Sequence, residues 1–343
     1  PDVEKYEKAI KDAKKYEGAF VLYTRKQDIL LELPEEAIGK TFMAQASLNK
    51  GFAAFSGQSG EPVGDGPVSI FRWEKSEDKV MLMRPRTRFR WNDNDPLSVA
   101  SDRTFPEAII ASYRIENKHP EKKLLLLNVT SLFQGAVFDL QKFVGESLGG
   151  QAALDREFTK VDSVRSVGDA TVVRMDTHFK SQRGGEMNAL LALFGLSSPT
   201  HLEDDSSVPF KVTYTLWYRK DTGYLPRIAD SRVGFFTQDF FNIDRFGEVD
   251  RTERFIGRFN LKKKDLSAPL SEPVAPITWV VDESVPERYR PGVKQGILAW
   301  NKAFEKIGFK DAVRVEDGPS KNAEWDHADG LHNVVRWNMS EDM

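Results

Sequence analysis

The dominant spacing of apolar residues shifts along this chain, and that shift constrains its fold more than any single motif. Up to about Asn260 the signals are mostly those of strands. Val212, Tyr214, Leu216 and Tyr218, for example, alternate with Thr213, Thr215 and Trp217, as one face of a half-buried strand requires. After Pro276 the spacing becomes three and four. Val293, Ile297, Trp300, Phe304 and Ile307 then form one stripe of an amphipathic helix. This order predicts an α+β chain, with a mainly antiparallel β unit first and a smaller strand–helix–strand unit after it.

Within the first unit, Val3, Tyr6, Ile10 and Ala13 predict a short helix that ends near Gly18. Residues 19–23 and 29–33 flank a turn at Arg25 and Lys26, and residues 68–73 and 80–83 flank 76–78, which predicts two hairpins. The apolar run 124–129 reads as a central strand, with further strands at 233–236 and 255–259. Two helices interrupt, at 138–148 closed by Gly149 and Gly150, and at 186–194 closed by Gly195.

Lys262, Lys263 and Lys264, followed by Pro269, Pro273 and Pro276, predict an extended connector over 266–276 between domains 1–265 and 277–343. The lysine run reads as the solvated end of a strand. Ile277, Trp279 and Val281 begin the second unit as a strand. Pro291 suits the first turn of the helix, Gly308 its end, and residues 333–337 a second strand.

Composition narrows the function. A net charge of −3 over 343 residues argues against a basic nucleic-acid surface, and no apolar run approaches the ~20 residues of a membrane span. Zero cysteines exclude disulfides and thiol catalysis. The chain opens at Pro1 without a signal-like segment, so a mature or trimmed form is expected, with any export signal out of view.

The wording of residues 271–312, S-E-P-V-A-P-I-T-W-V-V-D-E-S-V-P-E-R-Y-R-P-G-V-K-Q-G-I-L-A-W-N-K-A-F-E-K-I-G-F-K-D-A, resembles the start of the catalytic domain in large bacterial zinc-dependent metalloproteases. These are metzincin-like enzymes with a long N-terminal region. The resemblance extends upstream through Y-L-P-R-I-A-D-S-R-V-G-F-F (224–236) and R-F-I-G-R-F-N-L-K-K-K-D (254–265), and downstream through D-H-A-D-G-L-H-N-V-V-R-W (326–337). Before about residue 205 it rests on β-rich character and on D-P-L-S-V-A-S-D-R-T-F (95–105). It implies a secreted or periplasmic parent enzyme that cleaves peptide bonds with a zinc-activated water and a glutamate base. It also implies contact between this chain and the remaining catalytic portion.

The family's zinc motif, H-E-x-x-H-x-x-G-x-x-H, is not in this sequence. His327 and His332, flanked by Asp326 and Asp329, come nearest to a metal cluster. They stand five apart, wrong for one helical face, and the adjoining Asp-Gly reads as a turn. The expectation is a truncated front portion, inert alone, with zinc only in the parent and no catalytic, cofactor-binding or metal residues of its own.

Other features admit other readings. Trp73, Trp91, Trp217 and Tyr218 would line an open face if the β unit were a binding module for envelope polymers or peptides. Arg84, Arg86, Arg88 and Arg90, with Phe89 and Trp91, suit either an anionic polymer or the exposed face of a strand. A third reading makes the β unit a folding chaperone or inhibitor of the protease. Asp230 would then reach the zinc, or else pair between Arg227 and Arg232. The loop holding Gly57, Gly60, Gly64 and Gly66 lacks the residues of a phosphate cradle and reads as a flexible connection, and Ser59 lacks the setting of a nucleophile elbow. Apolar residues left exposed on the helix at 293–307 would favour association.

Overall fold

The computed structural model describes residues 2–52, 57–64, 66–148, 150–182, 206–318 and 325–339. The chain begins with α1 (Asp2–Ile10), β1 (Lys14–Tyr16), β2 (Val21–Arg25), β3 (Asp28–Pro34) and β4 (Thr41–Lys50). Next come β5 (Pro62–Val63), β6 (Ser69–Ser76), β7 (Lys79–Arg84), β8 (Phe89–Arg90), α2 (Pro96–Thr104), β9 (Ala108–His119) and β10 (Leu124–Asn128). A further helix, α3 (Leu140–Leu148), precedes β11 (Gln151–Leu154), β12 (Lys160–Val167), β13 (Ala170–Gln182) and β14 (Ser207–Tyr218).

Among the described residues, thirteen strands join one antiparallel sheet in the order β1-β2-β3-β10-β9-β7-β6-β4-β14-β13-β11, with β12 also on β13 and β5 on β4. The sheet curls until its ends meet. The Phe20 N–H donates to Thr171 Oγ1 at 2.9 Å, and that hydroxyl donates to the Phe20 carbonyl at 3.1 Å. A side chain therefore bridges a seam that no strand pairing closes. The result is a nearly closed barrel; the strand patterning predicts its antiparallel β character and does not predict its closure.

Its interior is packed. Phe42 lies 5.4 Å from Trp73 and 5.8 Å from Phe71, and Phe71 meets Phe138, which touches Tyr214. Phe138, Leu140, Val144 and Leu148 come from the α3 region, which plugs the core. Each such buried side chain contributes roughly 1.5–3 kcal/mol. On the outer face, α1 ends at Ile10, short of the expected span. It seats Tyr6 beside Tyr23, and both hydroxyls donate to Glu32 Oε2 at 2.7 and 2.9 Å.

A second sheet is built from β8, β15 (Thr237–Asn242) and β16 (Thr252–Ile256). The strand expected at 233–236 is instead a turn and extended loop: the Val233 N–H donates to the Asp230 carbonyl, and pairing starts only at Thr237. The strand expected at 255–259 lies earlier, because β16 ends at Ile256. Asp95 explains the D-P-L-S sequence: its carboxylate accepts the Leu97 N–H at 2.8 Å and caps α2, with Pro96 in the first turn. The helix expected at 186–194 lies outside the described residues.

The C-terminal unit is a parallel sheet. Its centre is β17 (Ile277–Val281), followed by α4 (Arg290–Leu298), α5 (Asn301–Lys306), β18 (Val313–Asp317) and β19 (Asn333–Val335), in the order β18-β17-β19. The sequence reading missed β18, although Val313 and Val315 alternate with Arg314 and Glu316. The connecting segment is tied down: Lys264 and Val274 donate to the carbonyls of Glu272 and Lys262, and Ser271 exchanges backbone bonds with Gly308 and Lys310. The three lysines also have partners, Thr222 O for Lys262, Ala268 O and Pro269 O for Lys263, and Glu272 for Lys264.

Candidate functional site

The polar half of the β14 alternation faces outward, yet Thr213 and Thr215 are buried. A buried polar face needs polar partners, since unpaired groups there cost about 1–3 kcal/mol each. The loop before β19 supplies them. Asp326 Oδ2 accepts from Thr213 Oγ1 at 2.8 Å, and the Asp329 carbonyl accepts from Thr215 Oγ1 at 2.7 Å. Asp326 Oδ1 accepts from Asn49 Nδ2 at 2.7 Å and from the Ala328 N–H at 2.9 Å.

Two arginines compensate the charge. Arg165 Nη2 on β12 lies 3.1 Å from Asp326 Oδ2 and 3.9 Å from Asp329 Oδ2, and Arg174 Nη1 on β13 lies 3.8 Å from Asp326 Oδ2. The Asp326 side chain has no exposed surface. A carboxylate so placed is tolerable only with its cations and donors in position.

The two histidines divide between different partners. His327 Nε2 lies 2.8 Å from Ser59 Oγ and 3.1 Å from the Asn49 carbonyl. The carbonyl only accepts, so this contact requires the Nε2–H form of the ring. His332 Nδ1 lies 3.2 Å from Asp329 Oδ1, and that hydrogen bond raises the pKa of the ring, against burial and the nearby Arg165.

Glycines permit the close approach. Gly60, at φ +82°, has the Arg336 guanidinium where a side chain would begin, and Gly330, at φ +70°, has Gln45 Oε1 2.3 Å from the same position. Burial lowers the pKa of Arg336, opposed by Asp282 and Asp326. Asp282, buried at the end of β17, is pushed up by burial but held below its ordinary value by hydrogen bonds from Ser284.

This cluster is a junction that fixes the parallel unit on the barrel. It unites His327, His332, Asp326 and Asp329 from the histidine motif with Ser59 and Gly60 from the glycine loop, which is therefore a docking surface. Arg165, Arg174, Asn49, Thr213 and Thr215 escaped the sequence reading. Thr213 and Thr215 carried a signal, as the polar half of an alternating strand, but nothing local named their partners.

The other candidates lie elsewhere. Trp73 is fully buried in the core, Tyr218 stacks on Phe20 at 4.7 Å, and Trp91 lies under Arg86, so these aromatics do not form one open face. Arg86 pairs with Asp102 at 2.8 Å, Arg84 covers Phe71, and Arg90 stands 3.6 Å over Phe240. Asp230 is gripped by Arg232 Nε and Nη2 at 2.9 and 2.6 Å, which holds its carboxyl below the usual range. Among the described residues, no group of three or more His, Asp or Glu side chains could hold a metal ion.

Residues 64–264 match the family model described as Domain of unknown function (DUF5117). The chain belongs to the DUF5117 family. Residues 3–51 match a second one, Domain of unknown function (DUF5118). No curated protein and no solved structure matches. The DUF5117 stretch and the DUF5118 stretch share a single sheet: β3 pairs with β10, and β4 with β6 and β14. The junction draws on both, with Asn49 from the DUF5118 stretch and Arg165, Arg174, Thr213 and Thr215 from the DUF5117 stretch. Asp326 lies beyond either match.

Proposed function

We propose that this chain is the N-terminal portion of a secreted zinc-dependent metalloprotease. Residues 1–265 serve as its accessory barrel, and the segment from residue 277 opens the catalytic domain. The observation that carries this reading is the fold of the resembling segment. It forms a parallel sheet with a helical crossover, a layer that supports sites in many enzymes, and it is fixed to the barrel by Asp326, Arg165 and Arg174. The barrel's task is to hold that layer in one orientation.

The described residues do not themselves fit a zinc ion, because His327 and His332 are engaged by separate partners in the junction. No chemical step is assigned to this chain. Zinc ligands and the base belong to sequence outside it, and the substrate is a peptide or protein outside the cytoplasm. The test is peptide cleavage by the purified chain and by the same chain extended with its native downstream sequence. Chelator-sensitive cleavage by the extended protein alone supports the reading. Cleavage by neither, with both folded, refutes it.

A further inference from the structure

The loop between β11 and β12 is stitched to His178 on β13 through both groups of that residue's backbone. The Asp155 N–H donates to the His178 carbonyl at 2.8 Å, and the His178 N–H donates to Thr159 Oγ1 at 3.2 Å. The Thr159 hydroxyl in turn donates to the Asp155 carbonyl at 2.8 Å, and the Glu157 N–H donates to Asp155 Oδ1 at 3.1 Å. The other carboxylate oxygen, Oδ2, is left facing the imidazole, 3.6 Å from His178 Nδ1. Across the ring, His178 Nε2 lies 2.9 Å from Ser207 Oγ. The strand register sets that contact. His178 lies opposite Pro209 and Lys180 opposite Ser207, so His178 and Ser207 are diagonal neighbours on the outer face, while Phe179, Val208 and Phe210 turn into the core.

Ser207 Oγ, Nε2, Nδ1 and Asp155 Oδ2 follow the order of a serine nucleophile, its base and the group that orients the base. The Asp155 side chain keeps 6% of its surface in solvent, and His178 Nδ1 is buried with no hydrogen-bond partner among the described residues. Lys180 Nζ lies 2.6 Å from Asp155 Oδ2, and that ammonium holds the carboxyl below the usual carboxylate range. An ionised Asp155 favours the proton on Nδ1, which leaves Nε2 to accept from the Ser207 hydroxyl. At 3.6 Å the Asp155–His178 contact is longer than a hydrogen bond, as catalytic contacts commonly are until substrate closes the site. Phe158 packs edge-on against the imidazole, with 5.5 Å between ring centres.

A cavity of about 870 Å³ opens beside Ser207 and His178, lined also by Phe158, Pro209, Lys50 and Lys160. Those two lysines form no ion pair among the described residues. We infer that Asp155, His178 and Ser207 form a hydrolytic site for carboxylic esters that carry an anionic group. His178 and Ser207 are its catalytic residues, and Asp155 positions the ring. Ser207 Oγ bonds to the acyl carbon while its proton passes to His178 Nε2. The tetrahedral species then expels the alkoxide, which takes that proton and leaves as the alcohol. Water repeats the sequence on the acyl-enzyme: its oxygen bonds to the acyl carbon, Nε2 takes a proton from it and returns one to Ser207 Oγ, and the carboxylic acid departs. Lys180, opposite Ser207, brings positive charge to the side where the oxyanion forms. Lys50 and Lys160 meet the anionic group, and Phe158 and Pro209 the apolar part. The site requires no zinc and shares no residue with the junction, so a negative zinc assay leaves it intact.

A fluorophosphonate and two acetate esters, 4-acetoxybenzenesulfonate and phenyl acetate, test it on the full chain with chelator present. The fluorophosphonate should add once per molecule with loss of fluoride, at Ser207 by peptide mass mapping. Ser207→Ala should abolish both the adduct and ester hydrolysis, with the circular dichroism unchanged. His178→Gln should slow labelling at least about hundredfold. Asp155→Asn should lower the maximal labelling rate at least about tenfold and leave the half-saturating concentration unchanged, a split that a purely structural role would not produce. Relative to free imidazole, the chain should favour the sulfonate ester over phenyl acetate at least about tenfold, and K50E/K160E should remove that preference. No adduct on the folded chain, an adduct at another residue, labelling indifferent to His178→Gln or to Asp155→Asn, or equal use of the two esters would each overturn the inference.

Discussion

Arg165 Nη2 lies 3.1 Å from Asp326 Oδ2 and joins barrel strand β12 to the loop that leads into β19. The carboxylate has no exposed surface, so its stability depends on that cation. Arg165→Met should destabilise the chain by about 3–5 kcal/mol in urea unfolding, the range for a buried charge stripped of its partner. Arg165→Met combined with Asp326→Asn, which removes the charge but keeps hydrogen-bonding groups toward Thr213, Asn49 and the Ala328 N–H, should recover much of the loss. Additive losses would mean that the two groups do not act as a pair.

Gly60 and Gly39 separate backbone strain from docking. Both have positive φ, +82° and +80°, but the Cβ of an alanine at Gly39 would meet nothing within 4 Å, whereas at Gly60 it would fall on the Arg336 guanidinium. Gly39→Ala should cost about 1–2 kcal/mol, the left-handed penalty alone. Gly60→Ala should add to that only the displacement of the Arg336 guanidinium, and Arg336→Ala in the same chain should remove whatever is added. Equal costs at the two sites would mean that the guanidinium moves aside freely.

His332 makes the junction pH-dependent in a defined direction. Its pKa is raised by the hydrogen bond to Asp329, helped by Glu316 and opposed by burial and Arg165. The stabilisation is therefore complete below the unfolded value of about 6.5 and is lost as pH rises through the folded value. Urea midpoints should fall between pH 6 and pH 8 by more in the parent than in His332→Gln. An unchanged slope in the variant would assign the dependence to another group.

The Tyr214 hydroxyl is buried in the barrel core and has no hydrogen-bond partner among the described residues, while its ring packs against Phe133 and Phe138. Burial raises its pKa, so it stays neutral in the working range. Tyr214→Phe keeps the packing and removes the orphaned group. It should leave stability unchanged or raise it by roughly 1 kcal/mol, as read by thermal unfolding. A clear loss would reveal a partner for the hydroxyl.

The strands of the first unit were legible because alternation is local, whereas their closure into a barrel was not. Val212, Tyr214, Leu216 and Tyr218 announce β14 without reference to anything distant, and the 124–129 run announces β10. Strand ends in the second sheet were less so, because Val233, Phe235 and Phe236 are apolar enough for a strand but lie in a loop fixed by Asp230 and Arg232. The junction was legible only in part. The D-H-A-D-G-L-H turn stood out, but its cations sit on β12 and β13, far away in sequence, and no local pattern distinguishes Arg165 from a solvated arginine. The helix stripe was legible in its spacing but not in its burial: Val293, Ile297 and Phe304 are half-buried, whereas Trp300 and Ile307 stay largely in solvent.

Zinc content per molecule, measured on the purified chain and on its natively extended form, tests the protease reading most directly. About one zinc per extended molecule, with none retained by the present chain, is the expected result. Stoichiometric zinc in the present chain would contradict the assignment of His327 and His332 to the junction, and zinc in neither would contradict the protease reading itself.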